Sequence, residues 1–293
     1  MAPTVVSPES VTWRVQLDRA MWVAGVRSLM LQALHPVAMQ GVWQRSDFMS
    51  DPVGRLLRTA DFVATTTYGS PGEAAELGRR VRAVHRRLGF VDPATGRWHR
   101  VDEPELLVWV HCAEVVSYLD VVRRAGVGLS ADEADRYVAE QRHTATYVGL
   151  AREDVPGSVG ELREYFAGMR PRLRAGVEAR AAVRFLLWPK MPRRLRGLAV
   201  FKPVWAPVGA LAYYSLPGWA RREYGVLPEV PGGQAVVTVA LRGVRAGLAA
   251  MPAVVYDRLF DPATVRRARR AQERLRAAGY VLDRRGWPRG GWG

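Results

Sequence analysis

Apolar residues recur every three or four positions through most of the chain, the spacing that builds one face of an α-helix. Val15, Met21–Trp22, Val26, Leu29–Met30 and Leu34 form the first such stripe, which Pro36 interrupts. Asp51-Pro52 places a capping acid before a proline at the first helical position and predicts a helix to about Tyr68–Gly69. Ser70-Pro71-Gly72-Glu73 repeats that signal and opens a helix through about Leu88. From Gly89 to Val101 the pattern changes. Asp92-Pro93-Ala94-Thr95-Gly96 is a turn between short β-prone flanks, which predicts a small hairpin near 89–101. Asp102-Glu103-Pro104 then begins a helix reaching about Ala125, and the capping box Ser130 to Glu133 begins another to about Gly149. Ser158–Met169, Arg172–Leu187, Ala206–Leu216, Gln234–Ala250 and Pro262–Ala278 carry helical spacing too.

No β-rich block and no internal repeat interrupts this series, so the expected fold is all-α. The reading divides the chain into an N-terminal arm (1–14), one helical domain (15–260) and a basic C-terminal helix and tail (261–293). Residues 188–232 are rich in proline and glycine and are expected to wrap the core irregularly. Leu198–Leu216 comes nearest to a membrane span. Lys202, Pro203 and Pro207 interrupt it, so a buried or substrate-lining segment is expected and a transmembrane span is not.

Composition narrows the chemistry. Cys112 is the only cysteine of the 293 residues, which excludes an internal disulfide and any cysteine-built zinc or iron–sulfur centre. The first twenty residues carry Glu9 and Asp18 without a signal-type apolar run, and a cytoplasmic setting is expected. The formal charge is +15, and among the basic residues only Lys190 and Lys202 are lysine. Arg266, Arg267, Arg269, Arg270, Arg274 and Arg276 crowd the last helix and read as a solvated face, with no specific nucleic-acid partner expected. The rival is a basic helical module that binds nucleic acid or anionic lipid.

Neither a Gly-rich phosphate loop, nor a Gly-x-Ser-x-Gly elbow, nor a His-Glu-x-x-His pair occurs, which removes nucleotide-dependent and hydrolase readings. Of the five histidines, His99 falls in the hairpin and is expected to be exposed; His35, His85, His111 and His143 fall in helical stretches. Around His85 the helical neighbours are Gly78, Val81, Arg82 and Leu88, a small apolar face that a flat ligand or a metal would need, and that packing alone would also explain. Arg79, Arg80, Arg82, Arg86 and Arg87 on the same helix can reach carboxylates. On the preceding helix Arg55, Arg58, Thr59 and Phe62 share a face with fixed donors, a hydroxyl and an aromatic wall. His111 precedes Glu114 by three residues, a spacing that would pair them in an apolar helix. Glu140-x-x-His143 with His111 and Glu114 offers a rival, a non-haem iron centre, although only one forward copy of the motif exists.

Several stretches occur in a telling order. Leu34-His35-Pro36-Val-Ala-Met-Gln-Gly-Val42 precedes Ser46-Asp-Phe48 and Asp51-Pro52. Arg55-Leu-Leu-Arg-Thr59, Arg82-Ala-Val-His85 and Leu107-Val-Trp-Val-His111 follow, then Leu216-Pro217 with Arg221 to Gly225. This ordered set resembles the MpaB-type oxygenase family, which includes the latex-clearing (rubber) oxygenases, over about residues 15 to 230. The resemblance implies a globin-like helical core holding one haem b, with a proximal histidine on the iron. On that pattern His85 matches the proximal ligand, with Arg82 as its helical neighbour. Arg55 and Thr59 match polar residues of the distal side, and His111 matches a further histidine near the haem, structural rather than ligating.

Arg58 falls where latex-clearing members carry a lysine that closes onto the iron. An arginine does not give up its proton, so that closed form is not expected. Nor is the family's active-site glutamate present: no acid lies between Asp18 and Asp47, and Met39 and Gln40 occupy its region. The expectation is therefore a haem-dependent oxygenase or oxidase that takes O2 and a hydrophobic small molecule, by C=C cleavage or hydroxylation, without rubber-type activity.

Overall fold

The computed structural model describes residues 5–46, 52–188, 202–228, 231–251, 262–277 and 279–282. Its helices are α1 (Val11–Gln16), α2 (Met21–Gln32), α3 (Pro36–Arg45), α4 (Pro52–Tyr68), α5 (Pro71–Arg87), α6 (Pro104–Arg124), α7 (Ala131–Val148), α8 (Val159–Met169), α9 (Val177–Leu187), α10 (Lys202–Ser215), α11 (Gly218–Tyr224), α12 (Gly233–Ala250) and α13 (Pro262–Ala277). The fold is all-α apart from one antiparallel hairpin, β1 (Gly89–Val91) and β2 (Trp98–Arg100), in which Phe90 pairs with His99. Local chemistry sets the boundaries. Ser70 and Glu73 close a capping box on α5, and Ser130 and Glu133 do the same for α7, each reciprocally satisfying amides that a helix start leaves unbonded. Asp92 ties the hairpin turn, accepting from the Thr95 hydroxyl at 2.8 Å and the Ala94 amide at 3.1 Å.

At the centre α2 packs against α6 and α10, burying Val23, Val26 and Met30 of α2 with Trp109, Cys112 and Val121 of α6. Polar ties fix the register of these apolar faces. The Trp109 indole donates to the Gln32 carbonyl at 2.9 Å. Buried Arg27 donates to the Ser215 carbonyl and pairs with Asp120, both at 3.2 Å. A smaller cluster of Trp13, Ala64, Tyr68, Ala271 and Leu275 joins α1, α4 and α13. On α13, Arg269, Arg270 and Arg276 are exposed while Ala271 and Leu275 are buried. No described helix is long and apolar enough to cross a membrane. Instead α10 buries Ala212 and Tyr213 against α2 and α9.

The structure corrects several expectations. The first apolar stripe is two helices, because the Asp18 carboxylate accepts the Ala20 amide at 2.9 Å and breaks the chain between them. Pro36 starts a helix rather than merely ending one: it occupies the first position of α3, and the His35 ring caps it by accepting from the Ala38 amide at 3.2 Å. Helix α9 begins at Val177, with a 3-10 turn at Arg170–Arg172 before it. Within the stretch expected to be irregular, 202–215 and 218–224 are helical, while 189–201 and 229–230 lie outside the described residues. Asp51 as a cap, and the tail beyond 282, also lie outside them. His99 is buried rather than exposed, stacked on Phe90 at 5.6 Å with its Nδ1 2.9 Å from Glu103.

Candidate functional site

Helices α2 to α6, strand β1 and helix α9 enclose a cavity of about 370 Å³, within the roughly 300–1,000 Å³ typical of small-molecule sites. Its walls are mostly apolar, including Leu29, Met39, Val42, Leu88, Leu107 and Val110. Its polar lining is His85 from α5, Arg55 and Arg58 from α4, Arg45 from α3 and the neutral Gln32 and Ser46, with no acid among the described residues that line it. Three arginines with no acid among the described lining residues favour a ligand bearing negative charge.

The histidine is available for ligation. Its Nδ1 is enclosed without a partner, and no described residue hydrogen-bonds its other ring nitrogen. Burial holds the imidazole pKa below the ordinary 6.5, Asp102 opposes the shift, and the charge of Arg55 adds to it. The neutral ring, with a lone pair to offer, is thus the form present at neutral pH. Arg55 is likewise desolvated: burial lowers its pKa, Arg58 lowers it further, and no described carboxylate pairs with it. A guanidinium drawn partly out of water normally has a counter-charge. Here the space it faces can supply one.

Of the residues singled out from sequence, the cavity gathers His85, Arg55 and Arg58. It does not gather the rest. The Thr59 hydroxyl donates to the Arg55 carbonyl at 3.1 Å, along its own helix, and neither it nor half-buried Phe62 lines the cavity. Arg82 turns away and donates to the Tyr147 carbonyl at 2.9 Å, which fastens α5 to α7 beside His85. His111 lies half-buried on α6, one turn beyond Leu107, where desolvation alone pushes its pKa down to about 4. The expected pair with Glu114 does not form. Burial raises the Glu114 carboxyl to about 7, with Tyr118 opposing the shift. Met39 lines the cavity, whereas Gln40 accepts from Gln44 on the surface.

The four residues weighed as an iron centre are dispersed. Glu140 accepts from the Thr12 amide at 2.8 Å and the Thr12 hydroxyl at 2.7 Å, and so completes the start of α1. The ring nitrogens of His143 engage Tyr147 at 3.1 Å and Arg152 at 2.8 Å. Among the described residues no three His, Cys, Asp or Glu side chains gather as a metal requires. Sequence reasoning also missed lining residues, chiefly Arg45 and Val42, because reading Pro36 as a stop hid α3. The signal was present: His35 before Pro36 is a cap followed by an N1 proline.

No curated protein and no solved structure matches the chain. Residues 13–250 match the family described as "ER-bound oxygenase mpaB/B'/Rubber oxygenase, catalytic domain". That span covers α2 to α12 and with them every element of the cavity. The chain belongs to this oxygenase family.

Proposed function

We propose that the chain is a haem b-dependent oxygenase that uses O2 on a hydrophobic small molecule, with His85 as the residue that would hold the iron. One observation carries the reading: an imidazole and a desolvated guanidinium line the same mostly apolar cavity, and among the described residues the first has no hydrogen-bond partner and the second no carboxylate. The donor set suits haem. His85 offers a neutral nitrogen, Arg45, Arg55 and Arg58 suit carboxylates such as propionates, and the apolar walls suit a porphyrin face and exclude water. Haem would supply the iron chemistry that activates dioxygen.

The protein's own contributions follow from its side chains. Arg55, with Arg58 on the same helix, is assigned the polar side of the site, where fixed donors orient a bound group. Thr59 and Phe62, outside the lining, are assigned to the support of that stretch of α4. Arg82 is assigned a positioning role through its bond to Tyr147, which holds α5 and hence His85 in place. His111 is assigned to structure. Met39 stands in the cavity where a carboxylate would serve as base, so chemistry that needs a cavity carboxylate to remove a substrate proton is not assigned to this chain.

Loading the purified chain with hemin and recording its absorption tests the reading. A Soret band and a pyridine haemochrome with about one haem per chain are expected. A chain that binds no haem after loading overturns the proposal.

A further inference from the structure

A second cavity, of about 570 Å³, opens between α2, α6, α8 and α11 and shares no lining residue with the first. Its floor is apolar: Leu31, Val116, Leu119, Leu162 and Phe166. Its rim is cationic. Arg123, Arg163 and Arg170 are exposed, and none of their side chains makes an ion pair or hydrogen bond with a described residue. Arg170 lies over the Trp219 ring, 5.5 Å from its centroid, so an aromatic wall and a cation meet at one end of the groove. Asp120 is the only acid among the described residues that line it, and that charge is already held by Arg27 at 3.2 Å and Arg124 at 3.9 Å.

Apolar floor and unmatched cationic rim ask for opposite ends of one molecule. An aliphatic chain gains by leaving water for the Leu162–Phe166 floor, and a single anionic head satisfies the rim without burying it. A nucleic-acid phosphate would leave the floor uncovered, and a neutral lipid would leave the arginines unmatched. We propose that this groove binds an amphiphilic carboxylate, of the class of a medium-chain fatty-acid anion, with its head against Arg163 and Arg170 and its chain along the floor. The proposal is independent of the haem reading, and chain without haem should bind equally well.

Calorimetric titration with dodecanoate below its micelle concentration tests it, alongside dodecanol and dodecyltrimethylammonium. Saturable binding of dodecanoate is expected, with the alcohol and the cation at least about tenfold weaker, the equivalent of one lost charge-assisted contact. The double variant Arg163→Glu/Arg170→Glu should lose at least about tenfold, while Arg136→Glu, an exposed arginine on α7, should bind as the parent does. Because Arg163 and Arg170 are exposed, the double variant is expected to fold, which circular dichroism checks. Three results overturn the proposal: equal affinity for alcohol or cation, binding unchanged in the double variant, or binding to anionic vesicles but not to free dodecanoate.

Discussion

Across one cavity, Arg55 reinforces what burial does to His85: both hold the imidazole pKa down, and Asp102 alone of the neighbouring charges pulls it up. The neutral ring is therefore kept at and above pH 6.5 and is lost only as pH falls through a lower value. In the haem-free chain, an NMR titration should place His85 below 6.5. Arg55→Ala should raise that midpoint and Asp102→Asn should lower it further. The reverse order would refute the arrangement.

His85→Ala should abolish stable haem binding while leaving the helices formed. His111→Ala should instead keep haem and cost stability by about 1–4 kcal/mol, the range for truncating a buried side chain. Haem titration and urea unfolding on both variants check this. Full occupancy in His85→Ala with loss in His111→Ala would reverse the assignment.

His111 and Glu114 sit on one helix and respond to pH in opposite senses. The Glu114 carboxyl rises from 4.5 to about 7 on folding, so its contribution is fully present below 4.5 and is lost as pH rises through 7. That loss is on the order of 3 kcal/mol. His111 falls from 6.5 to about 4, so its contribution is present above 6.5 and lost as pH drops through 4. Relative to the parent chain, Glu114→Gln should gain stability progressively as pH rises from 4.5 to 7, the window in which only the unfolded carboxyl has lost its proton. An unaltered pH profile across that window would place the titrating group elsewhere.

Two glycine-to-alanine changes should differ in sign. At Gly209 an added Cβ would sit 2.8 Å from the Leu186 carbonyl and 3.1 Å from the Leu187 Cα, backbone that cannot step aside without parting α9 from α10. A loss of about 1–3 kcal/mol is expected. At Gly243, inside α12, nothing lies within 4 Å, and a gain of about 0.5–1 kcal/mol is expected from helix preference alone. Chemical denaturation of the two variants measures both.

Helix existence was legible where caps are written in adjacent letters. Ser70 with Glu73 and Ser130 with Glu133 announced α5 and α7, and the hairpin turn at Asp92 was equally local. What escaped depended on partners distant in sequence. The break after α1 arises because the Asp18 carboxylate serves both the Ala20 amide and Arg245, 2.6 Å away and 227 residues on. The burial of His99 is the exception, for its partners Phe90 and Glu103 are close in sequence but join it only once the hairpin folds onto the start of α6. The same division holds at the site. Helical spacing put Arg55 and Arg58 on one face, and the motif order drew attention to His85. Arg82 also shares His85's helix, yet its guanidinium found a carbonyl on α7, which no spacing rule within α5 reveals.

Glu140 completes the start of α1 from 128 residues away, and Trp13 of the same helix rests in a cluster with Leu275 near the other end of the chain. A ribosome releases its product from the N-terminus, so the six residues of α1 emerge before α7 brings the acid and before α13 covers the indole. Contacts this distant in sequence form only once a long loop has closed, so what secures α1 is the assembled fold and not its neighbours along the chain.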